Sequence, residues 1–533
     1  MSNAFSKSRK TATPKVPAQS TSALVPTSRA LAVIPQKKVI HQDWPNDDTP
    51  LLHLGKGHGN TWHLRDAFEG VQVFGGTGSG KTSGSGKALA KAFIASNMGG
   101  LILTAKRDEA DMWADYITQA GRADDLIIFP HSRDGKPADL KFNFLRYAFE
   151  REKGGVGKTE NLVNLFCSVM EVAERKGGGG GGGNDGYWLR ATKQLLRNAI
   201  DLCIMAMDTV NLEYLHKIVY SAPQNLAAVS TDPAVRIDST CLALIDAAEA
   251  KTTLTPLQRH DLELTRAFWE KEFPGLAVET RSGVVSMFTT MADCFLRGSL
   301  YNLFCTDLNI FPEECWDDGK IIVLDLPVKE YYELGQFGQV IFKYLWQRAV
   351  ERRVPLNLSR KDAQKQVRPV FLWADEAQFF ANSYDAQFQS TARSSRACTV
   401  YLTQNLPSYH SVFGGANSKA EADMFLGNLV TKIFHANGDP TTNQWAADTI
   451  GKQRVFFMNA GNNNSPQQKS MQGTTAGMSE TIAYAVEPQE FTKLRRGGEP
   501  DFHVDGIIFQ GGRTWELNGA ASNFVFHSFD QTI

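Results

Sequence analysis

The run Gly75-Gly76-Thr77-Gly78-Ser79-Gly80-Lys81-Thr82 fits the pattern G-x-x-x-x-G-K-[ST]. Such a loop can wrap a phosphate chain with its backbone N–H groups, and only glycine lets a backbone come that close. A helix opening at Ser83 would point its positive end at the same anion. Lys81 would reach the β- and γ-phosphates of ATP, and the Thr82 hydroxyl would ligate Mg²⁺. The expected nucleotide contacts are therefore Gly75, Gly76, Thr77, Gly78, Ser79, Gly80, Lys81, Thr82 and Ser83.

A phosphate loop of this kind needs an acid on a neighbouring strand, and Phe371-Leu372-Trp373-Ala374-Asp375-Glu376 supplies two after four apolar residues. Asp375 is the expected partner of Thr82 at Mg²⁺, and Glu376 the expected general base for water attack. Asp325, in the run Val323-Leu324-Asp325-Leu326-Pro327, is a rival that lacks a second acid beside it. Gln404 ends the strand Ala397–Asn405, from which an amide could sense the γ-phosphate. Arg393 and Arg396 could act across a subunit boundary on a neighbour's nucleotide, and exposed helix charge is the alternative for both.

Two other glycine-rich runs compete for attention. Lys153-Gly154-Gly155-Val156-Gly157-Lys158-Thr159 resembles the variant phosphate loop of partitioning ATPases, but Leu145–Glu152 before it reads as helix. Without a strand to aim it, this run is a turn before a helix. Gly84-Ser85-Gly86-Lys87 falls inside the helix that follows the main loop and is no separate site.

These residues need a scaffold. Short apolar runs at 69–76, 99–106, 125–130, 320–328, 367–377 and 397–405 read as buried strands, with helical spacing at 86–97 and 335–353. Strand and helix in alternation imply a parallel sheet. From 156 to 300 the periodicity is helical throughout, interrupted by seven glycines at Gly177–Gly183 that suit a flexible loop. The polar stretch 461–479 reads as a mobile loop, and 505–519 as a final hairpin. The expected fold is α/β: a RecA-like nucleotide-binding domain with a mainly parallel sheet, plus an all-α inserted domain. Its divisions are a disordered basic tail over 1–42, the first part of the nucleotide domain over 43–155, the insertion over 156–300, and the second part over 301–533.

Bulk properties set limits. A net charge of -1 over 533 residues leaves any nucleic-acid contact to local patches. Lys106, Arg107, Lys432, Arg495 and Arg496 are candidates for phosphate contacts, with ordinary surface charge as the alternative for each. The seven cysteines form no CxxC pair, which suits reduced, buried thiols. No apolar run reaches the ~18 residues of a membrane helix, so a cytoplasmic protein is expected, touching the inner membrane only through a partner.

The order of motifs resembles the conjugative coupling proteins of type IV secretion, the TraG/TraD family within the FtsK/HerA group of DNA-pumping ATPases. The resemblance spans about residues 50–520. It rests on the phosphate loop, the turn Ala105-Lys106-Arg107-Asp108-Glu109, the helical insertion, Trp373-Ala374-Asp375-Glu376-Ala377-Gln378-Phe379-Phe380, and the downstream Thr403-Gln404-Asn405. Phe142–Leu145 stands where the family has Asn-Pro-Leu, and the 105–109 turn replaces its Asp-Pro-Lys-Gly-Glu. The resemblance implies an ATP- and Mg²⁺-dependent motor acting on DNA without sequence preference, as a homo-oligomer, a hexamer. Implied partners are a relaxase or relaxosome and secretion-channel proteins. It implies ATPase roles for Lys81, Thr82, Asp375, Glu376 and Gln404, and this chain would be a variant lacking N-terminal membrane helices. Two other readings stay open: an ATP-binding receptor or adaptor without motor activity, and a HerA-like motor in repair or phage defence.

Overall fold

A computed structural model describes residues 44–55, 58–130, 139–151, 158–176, 185–354, 367–413, 418–463, 473–517 and 520–532. The basic tail, the polyglycine run and residues 153–157 of the second glycine-rich run lie outside the described residues.

The described residues form fifteen strands: β1 (Pro50–His53), β2 (Thr61–His63), β3 (Val71–Phe74), β4 (Gly99–Leu103), β5 (Leu126–Phe129), β6 (Ile321–Leu324), β7 (Val370–Ala374), β8 (Ala397–Thr403), β9 (Thr431–Phe434), β10 (Lys452–Asn463), β11 (Gly473–Tyr484), β12 (His503–Gln510), β13 (Trp515–Leu517), β14 (Ala520–Ser522) and β15 (Phe524–Asp530). Nine make one sheet in the order β15-β12-β9-β3-β8-β7-β4-β6-β5. The seven from β9 to β5 run parallel, and β12 and β15 close one side antiparallel. This is the expected α/β, RecA-like arrangement with an α-rich inserted region.

The sheet is covered on both faces, as parallel sheets must be. Alternate residues of β7 show it: Phe371 and Trp373 join Val71, Val73, Leu89, Phe93 and Trp113 in one core, while Leu372 and Ala374 join Phe74, Leu103 and Phe129 in the other. The second core extends into the helices between β5 and β6, which include Lys158–Lys176, Asp185–Met207, Thr240–Ala250 and Val278–Phe295. Among the described residues no strand interrupts them. The Thr159 hydroxyl donates to Asp201 in this region, which gives the second glycine-rich run's threonine a structural partner.

Two expectations are corrected. Residues 461–463 and 473–479, read as loop, lie in β10 and β11, which pair with each other from Lys452↔Tyr484 to Asn463↔Gly473. Their small polar residues carry no apolar alternation, so the ladder is set by cross-strand pairing, with Arg454 and Glu480 3.1 Å apart. Residues 505–519 do not fold back as a hairpin. β12 pairs with β9 and β15, and β13 pairs with β14. After the Gly511–Gly512 turn, Arg513 bonds Asp66 at 2.6 Å and lies 4.0 Å over the Trp515 ring, which leads the chain away from β12. None of the seven cysteines forms a disulfide, and no described helix is long and apolar enough to cross a membrane.

Candidate functional site

The register of the parallel strands brings the site together. Phe74 lies beside Thr403, Ala374 beside Tyr401, and Leu103 beside Ala374. The residues that follow these strands therefore leave one edge of the sheet side by side: the phosphate loop after β3, Gln404 after β8, Asp375 and Glu376 after β7, and the Ala105–Glu109 turn after β4.

The loop is shaped by its glycines. Gly78 and Gly80 hold φ values of 69° and 80°, which favour glycine, and a Cβ on Gly80 would stand 2.5 Å from the Val504 side chain. A Cβ on Gly75 would stand 2.3 Å from the Ser79 hydroxyl. The loop is tied down by the Gly76 amide, which donates to the Ala436 carbonyl at 2.9 Å. Thr82–Gly86 continue it as a helical turn into the helix Lys87–Ala95.

Six sequence-predicted residues converge there. The Thr82 hydroxyl donates to Asp375 Oδ2 at 2.7 Å. Lys81 Nζ lies 3.7 Å from Glu376 Oε1, both side chains being buried. The Gln404 amide donates to Glu376 at 3.1 Å, and its oxygen accepts from the Thr77 hydroxyl at 3.3 Å. Glu376 sits at φ 49°, ψ 50°, a left-handed conformation that a non-glycine residue adopts at a cost.

Electrostatics separate the acids. Burial alone would raise the Glu376 carboxyl, but Lys81, the amides of Gln378 and Gln404, and Lys106 together hold it below the ordinary glutamate value. Glu109 goes the other way. Its burial, reinforced by Asp375, pushes it up to about 8 against the Ala105 amide and Lys106.

The other candidates lie elsewhere. Asp325 follows β6, which β4 separates from β7. Arg393 is half exposed and pairs with Glu69 at 2.8 Å. Arg396 directly precedes β8, at the sheet edge opposite the phosphate loop. It is 3% exposed, pairs with Asp47 at 2.8 Å and donates to the Pro45 carbonyl at 2.8 Å. Lys432, a candidate for nucleic acid, is buried in β9 with its ammonium 2.6 Å from the Leu429 carbonyl, and burial lowers its pKa to about 8. Arg107 is exposed and lies 3.6 Å from Glu330, Arg495 pairs with Asp505 at 2.8 Å, and Arg496 is exposed.

Sequence reasoning missed Gln378 and His435. The Gln378 amide donates to Glu376 at 2.8 Å and accepts from the Thr403 hydroxyl at 2.7 Å. Its place two residues after Glu376 was the available signal. His435 lies under the loop, 2.7 Å from the Ser85 hydroxyl and 2.8 Å from the Asp505 carbonyl oxygen. Nothing in its local sequence marks it.

The residues present fit ATP and Mg²⁺. A loop that a Cβ at Gly75 or Gly80 would fill, a buried lysine, and a hydroxyl paired with a carboxylate are the donor set that a magnesium triphosphate requires.

The fold has counterparts among known proteins. A family profile described as the TraM recognition site of TraD and TraG matches residues 369–496. No curated protein matches the chain. Among solved structures, the unbound bacterial conjugative coupling protein TrwBdeltaN70 is similar with a TM-score of 0.56 at 14% identity, over 90% of this chain and 89% of that one. The plasmid coupling protein TrwB in complex with the ATP analogue ADPNP is similar with a TM-score of 0.52 at 15% identity, over 92% and 91%. Its complex with the GTP analogue GDPNP gives 0.52 at 14%, over the same shares. From β1 to β15 this chain has the fold of the conjugative coupling proteins, with no membrane-spanning helix among its described residues.

Proposed function

We propose that this protein is an ATPase that drives DNA, or a nucleoprotein carrying it, through a ring of its own copies during conjugative transfer. The observation that carries the reading is the meeting of Thr82 with Asp375, and of Lys81 with Glu376, at one end of the parallel sheet. TrwB, whose fold this chain shares, has been solved with a non-hydrolysable ATP analogue, which supports ATP as the ligand.

In this reading Gly75 to Ser83 cradle the phosphates and Lys81 neutralises the β- and γ-phosphates. Thr82 and Asp375 hold Mg²⁺, which when bound offsets charge on the transferred phosphoryl group. Glu376 takes the proton of the attacking water. Gln404 and Gln378 orient its carboxylate. The ring is a hexamer, DNA is held through its phosphates without sequence preference, and the helices between β5 and β6 recognise a relaxase or its accessory protein. Contact with the inner membrane comes through secretion-channel partners.

The test is the ATPase rate of the purified chain alone, with single-stranded DNA and with duplex DNA. The expected result is a rate raised several-fold by DNA and lost as salt rises. Turnover indifferent to both nucleic acids sinks the motor and leaves an adaptor.

A further inference from the structure

Lys106 has no part in the proposed nucleotide contacts, yet the structure takes it to the same carboxylate as Lys81. It follows β4, in the turn Ala105–Glu109, and its ammonium lies 3.8 Å from Glu376 Oε1. Lys81 lies 3.7 Å from that same oxygen. The two cations arrive from opposite sides, because β4 and the phosphate-loop strand β3 are separated by β7 and β8. Both distances exceed a hydrogen bond, so neither lysine is locked to the glutamate in a directional contact. Two ammonium groups within 4 Å of one oxygen define a place suited to an anion with several oxygens, such as a terminal phosphoryl group.

The turn that carries Lys106 is braced on both sides. The Glu109 carboxylate accepts from the Ala105 amide at 2.7 Å, and the Lys329 amide donates to the Ala105 carbonyl at 3.1 Å. Glu109 is 5% exposed, and its other oxygen, which accepts no hydrogen bond, lies 3.8 Å from the Lys106 ammonium. A rigid, buried anchor behind a partly exposed ammonium suits a side chain that must meet a ligand at a fixed place.

We infer that Lys106 is a second cation of the nucleotide site, which contacts the terminal phosphoryl group of a nucleoside triphosphate and distinguishes it from a diphosphate. This rests on the reading of the chain as an ATP-binding protein. It moves Lys106, which the sequence left between a DNA-phosphate contact and ordinary surface charge, to the nucleotide site.

The test compares ADP with a non-hydrolysable ATP analogue, both with Mg²⁺, by calorimetric titration of the full chain and of K106A and K106R. In K106A the analogue is expected to bind about tenfold more weakly or worse, and ADP about as in wild type. K106R, which keeps the charge, is expected to recover most of the loss. The retained ADP affinity shows that the variant is folded. Equal losses for both nucleotides, or no loss for either, overturn the assignment and leave the ATPase reading standing. A wild-type chain that binds neither nucleotide overturns both.

Discussion

The Thr82 hydroxyl donates to the Asp375 carboxylate at 2.7 Å although the two residues are 293 positions apart in the chain. The strands β3, β8 and β7 bring them together, with Phe74 beside Thr403 and Ala374 beside Tyr401. β7 ends two residues short of β3 and β8, and the chain beyond it carries Asp375 to the hydroxyl at the foot of the helix that follows β3.

Glu376 is the neighbour of that acid, and its proposed work is separable from binding. Glu376→Gln keeps the shape of the side chain and one acceptor oxygen for the Gln404 and Gln378 amides, but cannot take a proton. The expected outcome is wild-type ATP affinity with kcat reduced by roughly 10²- to 10⁴-fold. Lys81→Ala is expected to lose nucleotide affinity itself. Steady-state turnover with a parallel binding titration separates the two, and a Glu376→Gln protein with normal kcat removes Glu376 as the base.

A buried ion pair fixes the chain just beyond this acid. Lys343, in the helix Val328–Arg352, pairs with Asp385 where both are fully buried, and it also donates to the Phe380 carbonyl at 2.7 Å. Asp385 caps the helix Ser383–Ala392 and accepts from Gln347 at 2.8 Å and the Tyr401 hydroxyl at 3.2 Å. Lys343→Met leaves a buried carboxylate without its cation, which is expected to cost about 3–5 kcal/mol in urea unfolding. Lys343→Met with Asp385→Asn is expected to cost less than the two single changes added together. A Lys343→Met loss below about 1 kcal/mol would refute the pair's structural role.

His435 makes acid stability depend on the floor of the phosphate loop. Its burial, against the Asp505 carbonyl and with Lys81 nearby, lowers its pKa from 6.5 to about 4. As pH falls from 6.5 toward 4, the unfolded chain takes up a proton that the folded chain refuses, so folding weakens by on the order of 3 kcal/mol across that window. Above pH 6.5 the residue contributes no pH dependence. His435→Gln has no such proton to bind. Its stability deficit relative to wild type is therefore expected to shrink between pH 6.5 and 4 in denaturant melts, and a constant deficit would show that His435 is not held neutral.

Much of this was legible in the sequence because it lay in local patterns. Short apolar runs mark β3, β4, β5, β6, β7 and β8, and the glycines after β3, the acids after β7 and Gln404 after β8 stand at the same end of the sheet. β9 escaped notice because Lys432 breaks its short apolar run, and only the folded sheet reveals that this lysine is buried. β10 and β11 escaped because Asn, Gly, Ser and Thr carry no apolar period. The place of Lys106 was hidden for another reason. Its partners Glu109 and Glu376 lie on different strand ends, and no spacing along the chain states that they meet.

The two arginines before β8 share a sequence neighbourhood but not an environment, which makes their behaviour a sharp test of trans catalysis. Arg396 is enclosed, bonded to Asp47 and the Pro45 carbonyl and stacked 5.2 Å over the Phe68 ring, in a backbone conformation with φ 51°. Removing it empties a buried place and takes a cation from half-buried Asp47, so Arg396→Ala is expected to destabilise the chain by about 2–4 kcal/mol. Arg393 pairs with Glu69 but is half exposed, and Arg393→Ala is expected to change stability by less than about 1 kcal/mol. If an arginine of one copy completes the nucleotide site of the next, it is Arg393 that has the freedom to do so. Mixing Arg393→Ala chains with Lys81→Ala chains then gives rings in which only some interfaces hold both groups. Partial ATPase activity in that mixture, with each variant inactive alone, is the expected result. Full activity of Arg393→Ala by itself removes it from the reaction.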